Sequence, residues 1–117
     1  MAIPRNADAG TDLAQVDDFG VCDEGLKALA NPVRRQILGW LKEPQAHFAN
    51  QEHPLSLGVC AGQITAHTGL SQSTISAHLA ILLRANLISA RRLGQWVFFK
   101  RDDNAVRTLL DRLRSEL

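Results

Sequence analysis

The side chains of this sequence best suited to a chemical task are short polar residues that open a predicted helix at residues 71–84. Ile75, Leu79, Leu82 and Leu83 recur there at i, i+4, i+7 and i+8, which predicts one buried face after an N-cap at Ser71. Hydroxyl and amide groups in the first turn of such a helix can hydrogen-bond base edges in the DNA major groove. The predicted base contacts are Gln72, Ser73, Thr74 and Ser76, and the predicted phosphate contacts are His78 and Arg84.

A second group of polar side chains follows this helix. Residues 89–101 contain β-branched and aromatic residues on both sides of a glycine, which predicts a β-hairpin, or wing. Arg91, Arg92 and Gln95 would contact phosphates or the adjacent minor groove. The alternatives are a charged strand edge for the two arginines and, for the helix, a capped start that contacts only water.

The charge distribution favours contact with a polyanion. The formal net charge is +1, but residues 1–24 contain six acidic side chains and one basic side chain. Residues 53–101 contain five arginine or lysine residues and no aspartate or glutamate. Such a segment suits a surface that meets nucleic acid, and chance in a short window is the simpler alternative.

Two cysteines, Cys22 and Cys60, are the candidates for effector sensing. Two are too few for a disulfide framework. Three interpretations stay open: small buried hydrophobic residues, a pair for oxidation or electrophile modification, or thiolate ligands of a metal or metalloid. Cys60 is expected near a helix N-terminus, where a thiolate is stabilised. In the metal case, His47, His53 or His67 would complete the ligand set.

Several helices must position these side chains. The sequence predicts a helix that begins at Asn31-Pro32 and ends before Pro44, followed by a long loop at residues 44–58. A short helix over VCAGQITAH, a turn at Gly69 and the helix at residues 71–84 then form a helix-turn-helix.

The last predicted helix carries an apolar stripe, although the other predicted elements already supply a core for this small domain. The members of the stripe are Val106, Leu109, Leu110, Leu113 and Leu117. We expect this stripe and the first helical region to form a dimer interface. The predicted fold class is mainly α with a small β-hairpin. It is a dimeric winged helix-turn-helix at residues 16–117, preceded by a flexible acidic tail at residues 1–15.

Length and motif content exclude several classes of protein. A chain of 117 residues allows one domain. No apolar run approaches the ~20 residues of a membrane span, and the N-terminus lacks the apolar region of a signal peptide. We therefore expect a cytoplasmic protein with no membrane partner. No nucleophile elbow, glycine-rich phosphate loop or His-Glu-x-x-His motif occurs, so we expect no enzyme activity.

Two segments resemble, in the right order, the ArsR/SmtB family of winged-helix repressors. LKALANPVRRQILGWL is similar to the opening helices of the family, and LSQSTISAHLAILLRANLISARRLGQWVFFKR to its recognition helix and wing. The resemblance covers roughly residues 22–117. It implies a homodimer that binds operator DNA and releases it on sensing a metal, metalloid, oxidant or other signal. Two-fold symmetry would require an inverted-repeat operator with half-sites about one helical turn apart.

The metal sites of that family are incomplete in this sequence. The resemblance aligns Cys60-Ala61-Gly62 with a Cys-Val-Cys pair, although a soft metal or As(III) needs two or three thiolates. The last helix lacks the histidine that another branch uses to bind zinc. We therefore expect a DNA-binding repressor without a cofactor, controlled by oxidation or electrophile modification of cysteine. The alternatives are a metal- or metalloid-responsive repressor with a non-standard thiolate site, and a winged-helix protein-interaction module without DNA binding.

Overall fold

Six helices and a small sheet make up residues 22–117, the part of the chain that this computed structural model describes. The helices are α1 (residues 22–29), α2 (Pro32–Lys42), α3 (Pro44–His47), α4 (Ala61–Thr68), α5 (Gln72–Arg84) and α6 (Asp103–Glu116). The strands are β1 (Val59–Cys60), β2 (Ile88–Leu93) and β3 (Trp96–Arg101). The predicted tail at residues 1–15 lies outside the described residues. None of the described helices has the length and apolar character needed to cross a membrane.

α2 begins where the Asn31-Pro32 pair predicts it. The Asn31 side chain accepts hydrogen bonds from two backbone N–H groups of the first turn, at 2.9 and 3.2 Å. Pro32 occupies the start of the helix, where its missing N–H has no cost. Ile37 and Leu41 are buried, so one face of α2 packs into the core.

α4 and α5 form the predicted helix-turn-helix. α4 ends at Gly69, whose φ of 74° lies in the left-handed region that favours glycine. Ser71 then caps α5 by accepting a backbone N–H bond at 3.2 Å. Ile75 and Leu79 are buried, which turns one face of α5 into the core. The helix predicted at residues 71–84 is confirmed within one residue.

The predicted wing forms, and a third strand extends its sheet. β2 and β3 pair in antiparallel register with Arg91 opposite Phe98, and Gly94 turns between them with a φ of 60°. β1 pairs with the other edge of β3 through Val59 opposite Phe99, which gives the strand order β1-β3-β2. The sheet therefore ties the wing to the start of the helix-turn-helix.

β1 corrects the helix start predicted over VCAGQITAH, because Val59 and Cys60 are extended and α4 begins at Ala61. The glycine before β1 explains the geometry. Gly58 has a φ of 111°, and a Cβ there would come within 2.8 Å of the carbonyl oxygen of Phe99. Glycine is needed for both the backbone angle and the close approach to β3.

Residues 44–58 are not the long loop that the sequence predicts. They contain α3 and a 3-10 turn at Leu55–Leu57, and they are anchored at two points. Phe48 is buried in the core. The Gln51 amide donates to the carbonyl of Gly58 at 3.0 Å, and its Oε1 accepts from the backbone N–H of Cys60 at 2.9 Å. The segment is therefore a fixed part of the domain.

α6 buries only part of its apolar stripe against its own chain. Val106 and Leu109 are buried, and a Cβ at Gly25 of α1 would lie only 2.7 Å from the Leu109 side chain. Leu110 and Leu117 are 48% and 100% exposed. α1 and α6 thus pack closely together and leave an outer apolar face uncovered within the described chain.

Candidate nucleic-acid interface

The first turn of α5 presents polar side chains to solvent. Gln72, Ser73 and Ser76 are exposed, whereas Ile75 is buried and fixes the rotation of the helix about its axis. The exposed amide and hydroxyl groups are the kinds of donor and acceptor that base edges in the major groove can pair with. The structure brings these predicted residues together on one exposed turn.

The hydroxyl groups of Ser73 and Thr74 already have a partner within the turn, because Ser73 Oγ lies 3.3 Å from Ser71 Oγ and Thr74 is bonded to the same serine. The Ser71 hydroxyl donates to Thr74 Oγ1 at 2.8 Å and accepts the Thr74 backbone N–H at 3.2 Å. Thr74 Oγ1 keeps its own proton for donation, and the side chain is exposed. The helix cap therefore orients the Thr74 side chain.

The arginines predicted to contact DNA have no ion-pair partner within the described residues. Arg91 and Arg92 are exposed on β2, Gln95 is exposed in the wing turn, and Arg84 is exposed at the end of α5. The ion pairs found in residues 22–117 are Arg101–Asp103, Arg112–Glu116 and Arg114–Asp111. In this part of the chain Arg84, Arg91 and Arg92 are thus available for phosphate.

The aromatic side chains of the wing have packing roles. Phe98 is buried, and Trp96 is 44% exposed with its ring centroid 4.9 Å from that of His53. His53 also lies 5.2 Å from Phe98. The segment before β1 therefore supports the wing from one side.

His78 lies against α2, and its Nδ1 is 3.1 Å from Nη1 of Arg34. Arginine carries only N–H donors, so Nδ1 accepts this bond and the imidazole is neutral with its proton on Nε2. Burial, followed by the charge of Arg34, lowers the pKa of His78 below its ordinary value. The predicted phosphate contact of His78 stays a prediction. No sequence pattern indicates the contact with Arg34, because 44 residues separate the two side chains.

The structure places the two cysteines in different surroundings, and both are free thiols. Cys22 is buried in α1 and lines a cavity of about 310 Å³ with α6 and the turn at residues 85–87. Cys60 is half-buried in β1 and is the N-cap of α4, as the sequence predicts. Within the described chain they are not joined by a disulfide.

The histidines do not complete a ligand set with either cysteine. In residues 22–117, no group of three or more histidine, cysteine, aspartate or glutamate residues is placed to hold a metal ion. His47 and His67 come together beside Trp40, with their ring centroids 5.8 Å apart. His53 lies elsewhere, against the wing.

Comparison with known proteins agrees with this geometry. A sequence profile described as the bacterial regulatory protein arsR family matches residues 59–90. The HTH-type transcriptional regulator YbzH of Bacillus subtilis is 49% identical over 96 residues, which cover 80% of this chain and 96% of YbzH.

Two solved structures show the same fold. HlyU from Vibrio cholerae is 30% identical with a TM-score of 0.59, and the match covers 84% of this chain and 92% of HlyU. A homodimeric winged helix-turn-helix DNA-binding domain from Mycobacterium bovis is 25% identical with a TM-score of 0.60. That match covers 94% of this chain and 89% of the other.

The family and the relatives are DNA-binding transcriptional regulators, which confirms the expectation that the protein is not an enzyme. The helix-turn-helix, the wing and these similarities lead to one assignment. The chain belongs to the ArsR family of bacterial transcriptional regulators, which carry a DNA-binding winged helix-turn-helix.

Proposed function

We propose that this regulator is a cytoplasmic homodimeric repressor that binds an inverted-repeat operator through its two α5 helices. The observation that carries the proposal is the exposed polar first turn of α5, together with three exposed arginines on α5 and β2 that have no ion-pair partner in the described chain. Base contacts are assigned to Gln72, Ser73, Thr74 and Ser76. Backbone or minor-groove contacts are assigned to Arg84, Arg91, Arg92 and Gln95.

Dimerisation is supported by the apolar residues that α1 and α6 leave exposed. Leu26 and Leu110 are 42% and 48% exposed, although the two helices pack closely together at Gly25 and Leu109. The similar domain from Mycobacterium bovis is described as homodimeric. Two copies joined through these helices would present two α5 helices to half-sites about one helical turn apart.

The experiment for DNA binding is fluorescence anisotropy on the DNA upstream of the protein's own gene, over a series of salt concentrations. We expect the affinity to fall steeply with salt, because each phosphate contact releases counterions. The double variant Arg91→Ala/Arg92→Ala should flatten the log–log salt slope by about 1.8 units per subunit, or about 3.6 for the dimer, because each phosphate that is no longer neutralised changes the slope by about 0.9.

Arg114→Ala is the matched control, because Arg114 is an exposed arginine at the end of α6 that pairs with Asp111. An unchanged slope in the wing double variant would place the wing away from DNA. DNA binding that is absent even at low salt would favour the alternative of a protein-interaction module.

For effector control, we propose modification of the Cys22 thiol. Its side chain lies in the wall of the α1–α6 cavity, so atoms added to the sulfur would enter the space between the two helices. This would disturb the close packing of Gly25 on Leu109 and, with it, the dimer. Cys60 does not line this cavity, nor the smaller one beside Ala61 and Gly62.

The experiment compares DNA binding before and after mild oxidation or treatment with N-ethylmaleimide. We expect the wild type and Cys60→Ser to lose affinity, and Cys22→Ser to keep it. Equal loss in Cys22→Ser would move the sensor to Cys60. Unchanged binding in all three would remove thiol control and favour a metal or metalloid effector, which titration of the reduced protein with Zn²⁺ and arsenite would then reveal.

A further inference from the structure

One side chain, that of Arg34, joins three helices. Its Nε donates to the carbonyl of Ala28 at 2.7 Å, and its Nη2 donates to the carbonyl of Lys27 at 3.1 Å, in the last turn of α1. Its Nη1 donates to Nδ1 of His78 on α5 at 3.1 Å. Carbonyls in the last turn of a helix lack partners inside the helix, and a cation there is favoured by the helix dipole. The same guanidinium therefore caps α1 and holds α5.

We propose that Arg34 and His78 are positioning residues that hold the recognition helix in its DNA-binding orientation, and that this requires neutral His78. The inference rests on the proposed reading of DNA by α5. His78 lies one turn beyond Thr74 on the same helix, so a shift of α5 at His78 moves the exposed first turn with it. Because Arg34 also holds the end of α1, the pair connects a terminal helix to the proposed DNA-reading residues.

The requirement for a neutral ring follows from hydrogen bonding and charge. A proton on Nδ1 removes the acceptor and puts a second cation 3.1 Å from the Arg34 guanidinium. The elements packed most closely against α5 are α2, α4 and β2, and neither they nor α5 contains an aspartate or glutamate. Asp23 and Glu24 lie about one turn before the capped carbonyls of α1, and neither forms an ion pair with Arg34.

The surroundings of His78 are therefore basic or neutral. The other charged or titratable groups on these elements and at the end of α1 are Lys27, Arg35, Lys42, His67, Arg84, Arg91 and Arg92. None of them compensates a positive charge on His78. The lowered pKa of His78 agrees with this arrangement.

Positioning and phosphate contact lead to opposite effects of acid. A histidine that contacts phosphate gains charge as the pH falls, so DNA binding tightens. A histidine that must accept from Arg34 loses that bond when it is protonated, so DNA binding weakens. The direction of the pH effect therefore separates the two roles.

The first experiment measures the affinity for the upstream DNA at about pH 7.5 and about pH 5, at constant ionic strength. The variant His78→Asn keeps an oxygen acceptor near the position of Nδ1 and does not titrate. We expect the wild type to lose about fivefold more affinity than His78→Asn on acidification. Other titrating groups cancel in this comparison, because both proteins contain them.

The second experiment compares Arg34→Gln with Arg35→Gln. Arg35 caps the same end of α1, because its Nη1 donates to the carbonyl of Leu29 at 2.7 Å, but it has no bond to α5. Both variants should unfold at a lower temperature than the wild type. Arg34→Gln alone should lose about tenfold in DNA affinity at neutral pH and show no further effect of acid at His78.

Equal DNA affinities of the two arginine variants would overturn the inference, as would a wild type that loses no more DNA affinity on acidification than His78→Asn does. In both cases the wild type still binds DNA at neutral pH, so the proposed function stands. Absence of wild-type binding at neutral pH and low salt would overturn the proposed function and this inference together.

Discussion

At the scale of single residues, hydrogen bonds distinguish the polar side chains that the fold already uses from those without a partner in the described chain. His78 and Thr74 both lie on α5, but one accepts from Arg34 and the other accepts from the capping serine. Arg91 and Arg92 carry the same charge as Arg34, yet only Arg34 is used within the fold. Residue type alone does not show which of these side chains the fold already uses.

His78 leads to a prediction about stability and pH. Its pKa is lowered in the folded protein, so the unfolded chain takes up the proton first as the pH falls. The stability that depends on neutral His78 is fully present above the ordinary histidine pKa. It is lost as the pH falls from there toward the folded pKa, and the loss then levels off.

Urea unfolding at a series of pH values measures this loss in the wild type and in His78→Asn. We expect the wild type to lose more unfolding free energy between neutral and mildly acidic pH than the asparagine variant does. Parallel curves for the two proteins would show that the folded state places no penalty on protonated His78.

At the scale of elements, the helices and strands that depend on local sequence signals form as predicted. The elements that depend on contacts between distant residues were not predicted. α2 and α5 each have a capping side chain and an apolar period, and β2 and β3 flank a turn glycine, so these elements are predictable. β1 has two residues and exists because it pairs with β3, about forty residues later, so no local period can indicate it.

The same reasoning applies to the candidate site. Gln72, Ser73 and Ser76 lie on one exposed turn because helix geometry alone brings them together. The contact between Arg34 and His78 depends on how α2 packs across α5, which the sequence pattern leaves open. Outside the candidate site, α3 was not predicted either, because its four residues are too few for a helical period to be recognised.

Gly58 tests the close approach of β1 to β3. We expect Gly58→Ala to destabilise the fold by about 1–3 kcal/mol or more, because alanine disfavours a φ of 111° and its Cβ would meet the Phe99 carbonyl. Gly62→Ala is the matched control: Gly62 lies in the first turn of α4, where an added Cβ would meet nothing within 4 Å, so this variant should not destabilise the fold. Similar unfolding midpoints for both variants would contradict the close approach of Gly58 to the Phe99 carbonyl.

At the scale of the whole molecule, two regions of the chain expose different kinds of side chain. The helix-turn-helix and the wing carry exposed polar and basic side chains, whereas the terminal helices α1 and α6 carry exposed leucines. Residues 25–117, which include most of both regions, contain twelve basic and six acidic side chains and therefore have an excess of positive charge. Such an arrangement suits a dimer that meets DNA with its helix-turn-helix regions.

Leu110 tests the proposed dimer. It is 48% exposed on α6, so Leu110→Glu should leave the fold of one chain intact and place a charge in the interface between two chains. Sedimentation equilibrium should show a monomer for Leu110→Glu and a dimer for the wild type. Ser115→Glu is the control, because Ser115 is exposed on another face of the same helix. A dimer that persists in Leu110→Glu would place the interface elsewhere.

The central claim is that the first turn of α5 reads base sequence. Its most direct test is the ratio of two affinities, for the upstream DNA and for a shuffled DNA of equal length, in the wild type and in Gln72→Ala. We expect the wild type to prefer the upstream DNA by about a thousandfold or more, and Gln72→Ala to lower this ratio about tenfold or more while its affinity for shuffled DNA is unchanged. A ratio that is the same in both proteins would contradict base reading by the first turn of α5.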